Sequence, residues 1–429
     1  MNPKQLKLPN GLNLILYSMS SVQSVSVYVM VGAGPRYETK KTAGLAHFLE
    51  HMLFEGTKKL PSSKDVSRFI EKVGGVSNAW TDKEHVSYYV KVQGKHLKLA
   101  IEYLSDILFN SRLDNEAIEK EKRVILEEYK RAKDNPSGEV WDLWCKFAWG
   151  EDQWLGRPTL GDEAEILSVN RNKLLDYLNH FYYPSNMVIA IVGNISLSSA
   201  EKYVNKYFGG KQSKEKSTVG SLKFVPKKNH VKVVNADTNQ IQLALGIVTG
   251  ITSKHKDRFV MRVIADILST GASSRIFHKI VYEEGLAYTV GAYSWIFTET
   301  SMFCVTGGFA KKSIERGIRI ILEELEKLKT FGIKDEELRE AKEKDKAGLI
   351  FSMETTDSIG NYFASAQLLE KEIMSINEIS EKIDAVTAED IQRAAKQYFK
   401  LENLCLMLMG PLDKKFEKTV EGICKDVLS

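Results

Sequence analysis

The sequence predicts an α+β fold of two homologous domains, each a sheet with helices, related by duplication and joined by a linker. Residues 24–34 and 241–250 are both typical of a strand that closes on glycine. Residues 180–193 and 397–410 both combine an aromatic segment, an apolar strand and a final glycine. Each pair is separated by about 216 to 217 residues, and a shared offset at two distant places indicates a repeated domain.

The connection between the two domains is predicted over residues 209–228. This stretch is rich in Gly, Ser and Lys and has little periodicity, as expected of a solvated linker. The first domain then spans residues 1–208 and the second spans residues 229–429. With 429 residues, the chain is long enough for each domain to have a full core.

Hydrophobic patterning predicts the elements of the chain in order. Residues 12–31 form two strands broken by a mostly polar turn at 18–24, and the β-branched and aromatic segments 76–81 and 86–92 form a strand or hairpin. Further strands are predicted over 187–192, 241–250 and 404–409. Helices are predicted over residues 44–54, 66–73, 95–109, 115–133, 141–154 and 172–181.

The composition is that of an ordinary globular protein, with 43% hydrophobic and 27% charged residues. A net charge of +4 is small for this length, which argues against nucleic acid and acidic membrane surfaces as partners. The four cysteines are scattered without a C-x-x-C pair, as in reduced proteins. No signal-peptide pattern or membrane-spanning apolar run is present. The sequence therefore predicts a cytoplasmic protein without a membrane span.

Residues 44–54 are apolar almost all round but contain His47, Glu50 and His51. The two histidines are four residues apart and share a helical face, with Glu50 beside them. Ionisable groups are costly to bury without partners, and a metal with its activated water would satisfy all three. The alternative is a helix whose histidines only make hydrogen bonds in the core. The His-x-x-Glu-His spacing is that of the inverted zinc-peptidase motif and favours the metal.

A tetrahedral zinc held by two histidines and one water lacks one protein ligand. The acid-rich helix predicted over residues 115–133 is a natural source of a carboxylate. Glu121 and Glu128 are seven residues apart and share a face with Val124 and Ile125, which are predicted to be core residues. Glu128 is therefore a candidate ligand, and Glu121 would brace it or a ligating histidine. Spacing alone does not separate Glu128 from Glu127.

The motif, with Glu128 following His51 by 77 residues, resembles that of the inverted-motif zinc peptidases of the pitrilysin class, family M16. Further similar segments are 77–81, 121–128, 156–158, 183–187 and 273–288, so that the resemblance covers essentially the whole chain. The length is similar to that of small two-domain members, such as the β subunit of the mitochondrial processing peptidase and bacterial processing proteases. The resemblance selects Glu128 as third ligand and implies one Zn²⁺ per chain.

The resemblance also implies roles for other residues. Glu50 would take a proton from the zinc-bound water and pass it to the leaving amine. Asn78, Ala79 and Trp80 would form an edge strand that binds the backbone of an extended peptide. The alternative for Asn78 is a turn residue following Gly74 and Gly75.

A tyrosine in the second domain often lies near the substrate in this family, seven residues after an arginine. Tyr288 fits the tyrosine, as a catalytic residue or as a plain core aromatic, but Val281 occupies the arginine position. The glycine-rich loop of the non-catalytic processing-peptidase subunit is also missing at residues 271–274. The valine at the arginine position indicates that a partner chain completes the site or that the tyrosine acts alone.

The leading prediction is a zinc endopeptidase with a catalytic first domain and a non-catalytic second domain that encloses the substrate. Its substrates would be extended peptides or unfolded presequence-like segments, and it would act as a homodimer or as a heterodimer with a related chain. One alternative is a zinc-bearing subunit active only with a distinct partner. The other is a non-proteolytic core or assembly subunit of the same fold.

Overall fold

The computed structural model describes residues 2–214 and 221–428, and the chain divides into two compact units. The first unit contains residues 1–130, 157–220 and 351–375; the second contains 131–156, 221–350 and 376–429. Each unit combines one main sheet with helices, which confirms the predicted α+β class.

The strands agree closely with the alternation in the sequence. They are β1 Lys4–Lys7, β2 Asn13–Ser18, β3 Ser24–Val31, β4 Val76–Thr81, β5 Val86–Gln93, β6 Met187–Gly193, β7 Val231–Asn235, β8 Ile241–Val248, β9 Ala287–Ile296, β10 Ser301–Phe309 and β11 Leu404–Gly410.

The helices include all those predicted from periodicity. They are α1 Leu45–Met52, α2 Ser63–Glu71, α3 Leu97–Asn110, α4 Asn115–Lys133, α5 Pro136–Trp149, α6 Glu163–Ser168, α7 Arg171–Phe181, α8 Leu197–Phe208, α9 Asp257–Ser269, α10 Arg275–Phe277, α11 Ile314–Thr330, α12 Asp335–Ser352, α13 Thr356–Ser365, α14 Ile376–Asp384, α15 Ala388–Tyr398 and α16 Phe416–Val427.

Five strands of each sheet follow the same order, which confirms the predicted duplication, and the first sheet has β1 as an additional edge strand. The first has the order β1-β2-β6-β3-β5-β4 and the second the order β7-β11-β8-β10-β9. In both, one parallel pair, β2 with β6 or β7 with β11, is followed by antiparallel pairs only. The offset of about 216 to 217 residues has a simple cause: β8 is the counterpart of β3 in the second sheet, and β11 is the counterpart of β6.

The sheet of the first unit is buried on both faces. Along β3, Val25, Val27 and Val29 enter the large core with α1 and α3, whereas Tyr28 and Met30 enter a second cluster on the opposite face. Helix α13 covers that second face, where the hydroxyls of Ser26 and Thr356 lie 2.9 Å apart. A segment late in the chain therefore completes the core of the first unit.

A segment from the first half of the chain is correspondingly part of the second unit. Helix α5 packs on β8 and β11, and the fully buried Trp144 donates a hydrogen bond from Nε1 to the carbonyl of Cys405 at 2.7 Å. A Cβ at Gly246 would lie 2.1 Å from the Trp144 ring, so that this close packing requires glycine. The helix ends at Trp149, earlier than predicted, where Gly150 has φ 79°.

We expect Trp144→Ala to destabilise the protein by about 3–5 kcal/mol, because it leaves a cavity and removes the hydrogen bond to the Cys405 carbonyl in the core of the second unit. Chemical denaturation monitored by circular dichroism measures the loss. The matched control is Trp141→Ala on the same helix, where the side chain is only half-buried and the cost should be smaller. Equal costs for the two variants would contradict the central role of Trp144.

The predicted domains are each continuous in sequence, but the compact units are not. Residues 131–156 of the first half belong to the second unit, and residues 351–375 of the second half belong to the first unit. Periodicity predicts α5 as a helix but carries no information on which sheet it covers, and α13 was not among the predicted helices. Within the predicted linker 209–228, residues 215–220 lie outside the described part of the chain. The domain limits therefore stay a prediction.

Candidate metal centre

Helix α1 places the three motif side chains in the first unit. His47 is 8% exposed and Glu50 is 9% exposed, because the turns of α1 around them are packed in the core. The helix begins at Gly44, with φ 82°, where a Cβ would lie 2.6 Å from the carbonyl oxygen of Leu160. The buried carboxylate of Glu38 accepts hydrogen bonds from the backbone N–H groups of Gly44 and Ala46 at 2.9 and 2.8 Å. The motif helix is thus held at its first turn.

Helix α4 brings Glu121 and Glu128 to α1. Ile125 on the same face is buried, but Val124 is 45% exposed, so the expectation that Val124 is a core residue was wrong. The two residues are about 100° apart around a helix, and the edge of the buried face falls between them. Glu127 points away from the histidines: its side chain is 74% exposed and pairs with Lys130 at 2.7 Å. The structure therefore brings Glu128, and not Glu127, to the motif.

His47, His51 and Glu128 form a group with the geometry of a metal site. Glu128 Oε2 lies 3.6 Å from His47 Nε2 and 3.5 Å from His51 Nε2. Ligand atoms about 2.0–2.1 Å from a tetrahedral zinc are about 3.4 Å from one another. The ligand atoms of the three residues all lie within 4.8 Å of one another. Two imidazoles and a carboxylate at these distances fit Zn²⁺.

The protonation state of His47 is consistent with metal binding. Burial, followed by the nearby His51, lowers the pKa of His47 to about 4, which keeps this ring neutral. Nδ1 of His47 is buried without a hydrogen-bond partner among the described residues, which argues against a histidine that only makes hydrogen bonds in the core. A neutral imidazole can offer a nitrogen lone pair to a metal, and in His47 the nitrogen that faces Glu128 is Nε2.

Glu121 fixes the orientation of His51. Its Oε2 lies 3.1 Å from His51 Nδ1, which leaves Nε2 directed at Glu128. Burial lowers the pKa of His51, but the hydrogen bonds to Glu121 and Glu128 outweigh this effect and raise the pKa to about 9. A carboxylate on the far nitrogen of a histidine is the usual support of a metal-ligating imidazole.

Glu50 is held beside this group by a threonine that sequence reasoning missed. The hydroxyl of Thr81, the last residue of β4, donates a hydrogen bond to Glu50 Oε2 at 2.5 Å. Burial raises the pKa of Glu50, and the Thr81 hydrogen bond partly opposes this shift. Thr81 directly follows the segment chosen for substrate binding, but a single sequence carries no signal that links it to Glu50.

Two more supporting residues were also missed as such. Glu38 is not part of a recognisable sequence motif with α1, and only the fold brings its carboxylate to the first turn of that helix. Arg157 is buried and donates from Nη2 to the carbonyls of Pro35 and Glu38 at 3.2 and 2.6 Å. Residues 156–158 are among the segments that resemble the family. In the structure, the hydrogen bonds of Arg157 hold the segment that precedes α1.

The predicted substrate residues lie on the edge of the first sheet. Strand β4 pairs with β5 alone within the described chain, and Asn78 is opposite Tyr89 in that pairing. Asn78 is a strand residue, so its alternative interpretation as a turn residue was wrong. Ala79 and Trp80 are half-buried beside it. An open strand edge has unpaired backbone groups that can bind an extended chain.

Tyr288 belongs to the second unit, on the edge strand β9 of that sheet. Its side chain is 88% exposed, so the alternative of a core aromatic was wrong. Val281 lies in the helical segment His278–Glu283. A catalytic role for Tyr288 stays a prediction.

The whole chain is similar to known proteins. Residues 14–163 match the family model described as insulinase (peptidase family M16), and residues 168–344 match the peptidase M16 inactive domain. An uncharacterized zinc protease of Bacillus subtilis (strain 168), YmxG, is 34% identical over 95% of this chain and 98% of its own length. No helix within residues 2–214 and 221–428 is long and apolar enough to cross a membrane.

Solved structures share the fold. A protease from Helicobacter pylori superposes with a TM-score of 0.87 at 21% identity, covering 96% of this chain and 99% of the other. A chain of complex III2 from Candida albicans superposes with a TM-score of 0.84 at 19% identity, covering 97% and 99%.

Proposed function

Because the chain belongs to peptidase family M16, we propose that it is a zinc-dependent endopeptidase that hydrolyses extended peptides or unfolded presequence-like segments. The observation that carries the proposal is the convergence of His47, His51 and Glu128 on one point, with the carboxylate of Glu50 buried beside them. These three residues would hold one Zn²⁺ per chain. Zinc, when bound, supplies a Lewis acid and lowers the pKa of coordinated water.

The remaining steps are proton transfer and the orientation of the reacting groups, which residues of the chain perform. Glu50 takes the proton of the attacking water and later delivers it to the leaving amine. Its raised pKa brings the carboxylate closer to the operating pH, where such proton transfer is most efficient. Glu121 orients His51, and Thr81 orients Glu50.

The substrate class follows from the strand edge. A peptide that adds to β4 makes main-chain hydrogen bonds beside Asn78, Ala79 and Trp80, and it must be extended to do so. Because Thr81 ends the same strand and contacts Glu50, the peptide is bound next to the proton-transferring carboxylate. An unfolded segment can adopt this extended conformation along its whole length, which favours unfolded segments.

The partner of the chain is proposed to be a second copy or a related chain. Val281 at the position of the family's arginine supports a site that another chain completes. Tyr288 is the proposed catalytic tyrosine. The Candida albicans complex III2 chain, which has the same fold, makes an assembly subunit the second candidate. Four intact motif residues, His47, Glu50, His51 and Glu128, favour the peptidase.

Zinc analysis and digestion of a mixed peptide library by the purified chain, read by mass spectrometry, test the proposal. A zinc-loaded chain that cleaves alone, stops after chelation and recovers with zinc supports the peptidase. A zinc-loaded chain that is inert until a sister protein is added selects the heterodimer. A chain that neither retains zinc nor cleaves peptides with any related chain would contradict the proposal.

Glu121→Gln is expected to lower the zinc affinity about 10- to 100-fold, because His51 loses its charged hydrogen-bond partner. Competition with a chromophoric chelator measures the affinity. Glu119→Gln on the same helix is the control, since Glu119 is 64% exposed and pairs with Lys122. If Glu121→Gln bound zinc as tightly as the control variant does, Glu121 would not support the metal site.

Thr81→Val is expected to lower kcat about 10- to 100-fold, because a hydrogen bond to a charged group is lost and the carboxylate of Glu50 is no longer fixed. KM and zinc content should stay within about twofold of wild type, since a positioning role affects neither. Thr81→Ser keeps the hydroxyl and should retain most of the activity. If kcat of Thr81→Ser is as low as that of Thr81→Val, the hydrogen bond to Glu50 does not account for the loss of activity.

A further inference from the structure

A pocket of about 620 Å³ in the second unit is lined mainly by lysines. Its charged lining residues are Lys227, Lys228, Lys329, Lys396, Lys400 and Glu402. They come from three distant parts of the chain: the segment before β7, the end of α11, and the end of α15 with the residues that follow it. The cluster is therefore created by the fold and is not a basic run of sequence.

Ion pairs neutralise only part of this charge. Lys329 pairs with Glu326 at 2.5 Å, and Lys400 lies 3.8 Å from Glu402. Lys227, Lys228 and Lys396 have no carboxylate within ion-pair distance in the part of the chain that the structure describes. The chain as a whole is nearly balanced, with 60 basic and 56 acidic residues, so this excess is local.

Helix dipoles account for some of the lysines but not for all. Lys329 and Lys396 lie in the last turns of α11 and α15, where cations are favoured. Leu428, which also lines the pocket, directly follows the last residue of α16, so a third helix ends there. Each helix end carries about half a negative charge, so the three ends together offset about one and a half of the three unpaired ammonium groups. The pocket keeps an excess of positive charge that a solvated surface alone does not explain.

We propose that this pocket binds a small polyanion of the condensed-phosphate class. Lysine ammonium groups bind phosphate oxygens as point charges, and several of them around one concavity favour a ligand with several negative charges over a single phosphate. The volume lies within the range of pockets that hold small ligands. The site is independent of the metal centre, which lies in the other unit.

The probe is inorganic triphosphate, titrated calorimetrically into the full zinc-loaded chain at low salt. We expect saturable binding of one triphosphate per chain, at least tenfold weaker binding of orthophosphate, and weaker binding as salt is added. The triple variant Lys227→Gln, Lys228→Gln, Lys396→Gln should weaken triphosphate binding at least tenfold. The matched control is Lys414→Gln, Lys415→Gln, Lys418→Gln, with the same loss of charge on exposed lysines of the same unit.

The control variant also separates binding in the pocket from extraction of zinc by triphosphate, because both variants keep the metal centre. ATP that binds more tightly than triphosphate identifies a nucleotide as the ligand, whereas equal affinities identify the phosphate chain. Absence of saturable binding by the wild type would overturn the proposal. Equal weakening by the two triple variants would overturn it as well, because it would show a general charge effect.

Discussion

Glu50→Gln is expected to retain zinc and to lose peptidase activity by about 10²- to 10⁴-fold, the range that a positioned general base contributes. The amide keeps the size of the side chain and can still accept the Thr81 hydrogen bond at its carbonyl oxygen, but it cannot take a proton from water. The loss should appear in kcat, with KM and zinc content near those of the wild type. Steady-state hydrolysis of a quenched fluorescent peptide and elemental analysis of the same sample measure both.

The result would separate proton transfer from metal binding. If zinc were lost in Glu50→Gln, Glu50 would be part of the metal coordination, contrary to the grouping of His47, His51 and Glu128 alone. Cleavage at the wild-type rate would exclude Glu50 as the base. Glu127→Gln provides the background for the assay, because Glu127 is exposed and pairs only with Lys130 among the described residues.

Glu128→Gln should release zinc far more readily than Glu127→Gln, although the two residues are adjacent. We expect a loss of affinity greater than the 10- to 100-fold typical of a residue that only supports a ligand. The reason is geometric: Glu128 Oε2 lies 3.6 and 3.5 Å from the two imidazole nitrogens. A neutral amide at this position removes the only carboxylate in the group.

Affinity is measured by competition with a chelator at fixed pH, because protons compete with zinc for the histidines. Glu127→Gln should bind zinc as the wild type does. Equal losses in the two variants would mean that Glu128 is not a ligand and that the helix α4 as a whole is disturbed. Circular dichroism of both variants excludes that second explanation when their spectra match.

Much of the fold could be predicted because its elements are local in origin. The alternation of Val25, Val27 and Val29 predicts β3 because every second side chain of a strand lies on the same face of the sheet. The helix α4 was predicted with the bounds that the structure has, Asn115–Lys133. The shared offset predicted the duplication, which the matching strand orders of the two sheets confirm.

The candidate site could be predicted only where its residues share a helix. His47, Glu50 and His51 are brought together by helical spacing, so the sequence shows their juxtaposition directly. Spacing left Glu127 and Glu128 open, and the resemblance to the family chose between them. Val124 was wrongly expected in the core, because the edge of a buried face depends on the neighbouring elements and not on the helix itself.

The amino-acid sequence by itself determined much of the secondary structure of the first half, the duplication and the motif, because each depends on residues that are close in the chain or separated by a fixed interval. Only the tertiary structure decided that Glu38 holds the first turn of α1, that Thr81 contacts Glu50, and that α5 and α13 belong to the units of the opposite halves. These contacts join residues far apart in sequence. Their partners are set by how helices and sheets pack, and periodicity describes the face of an element but not what covers it.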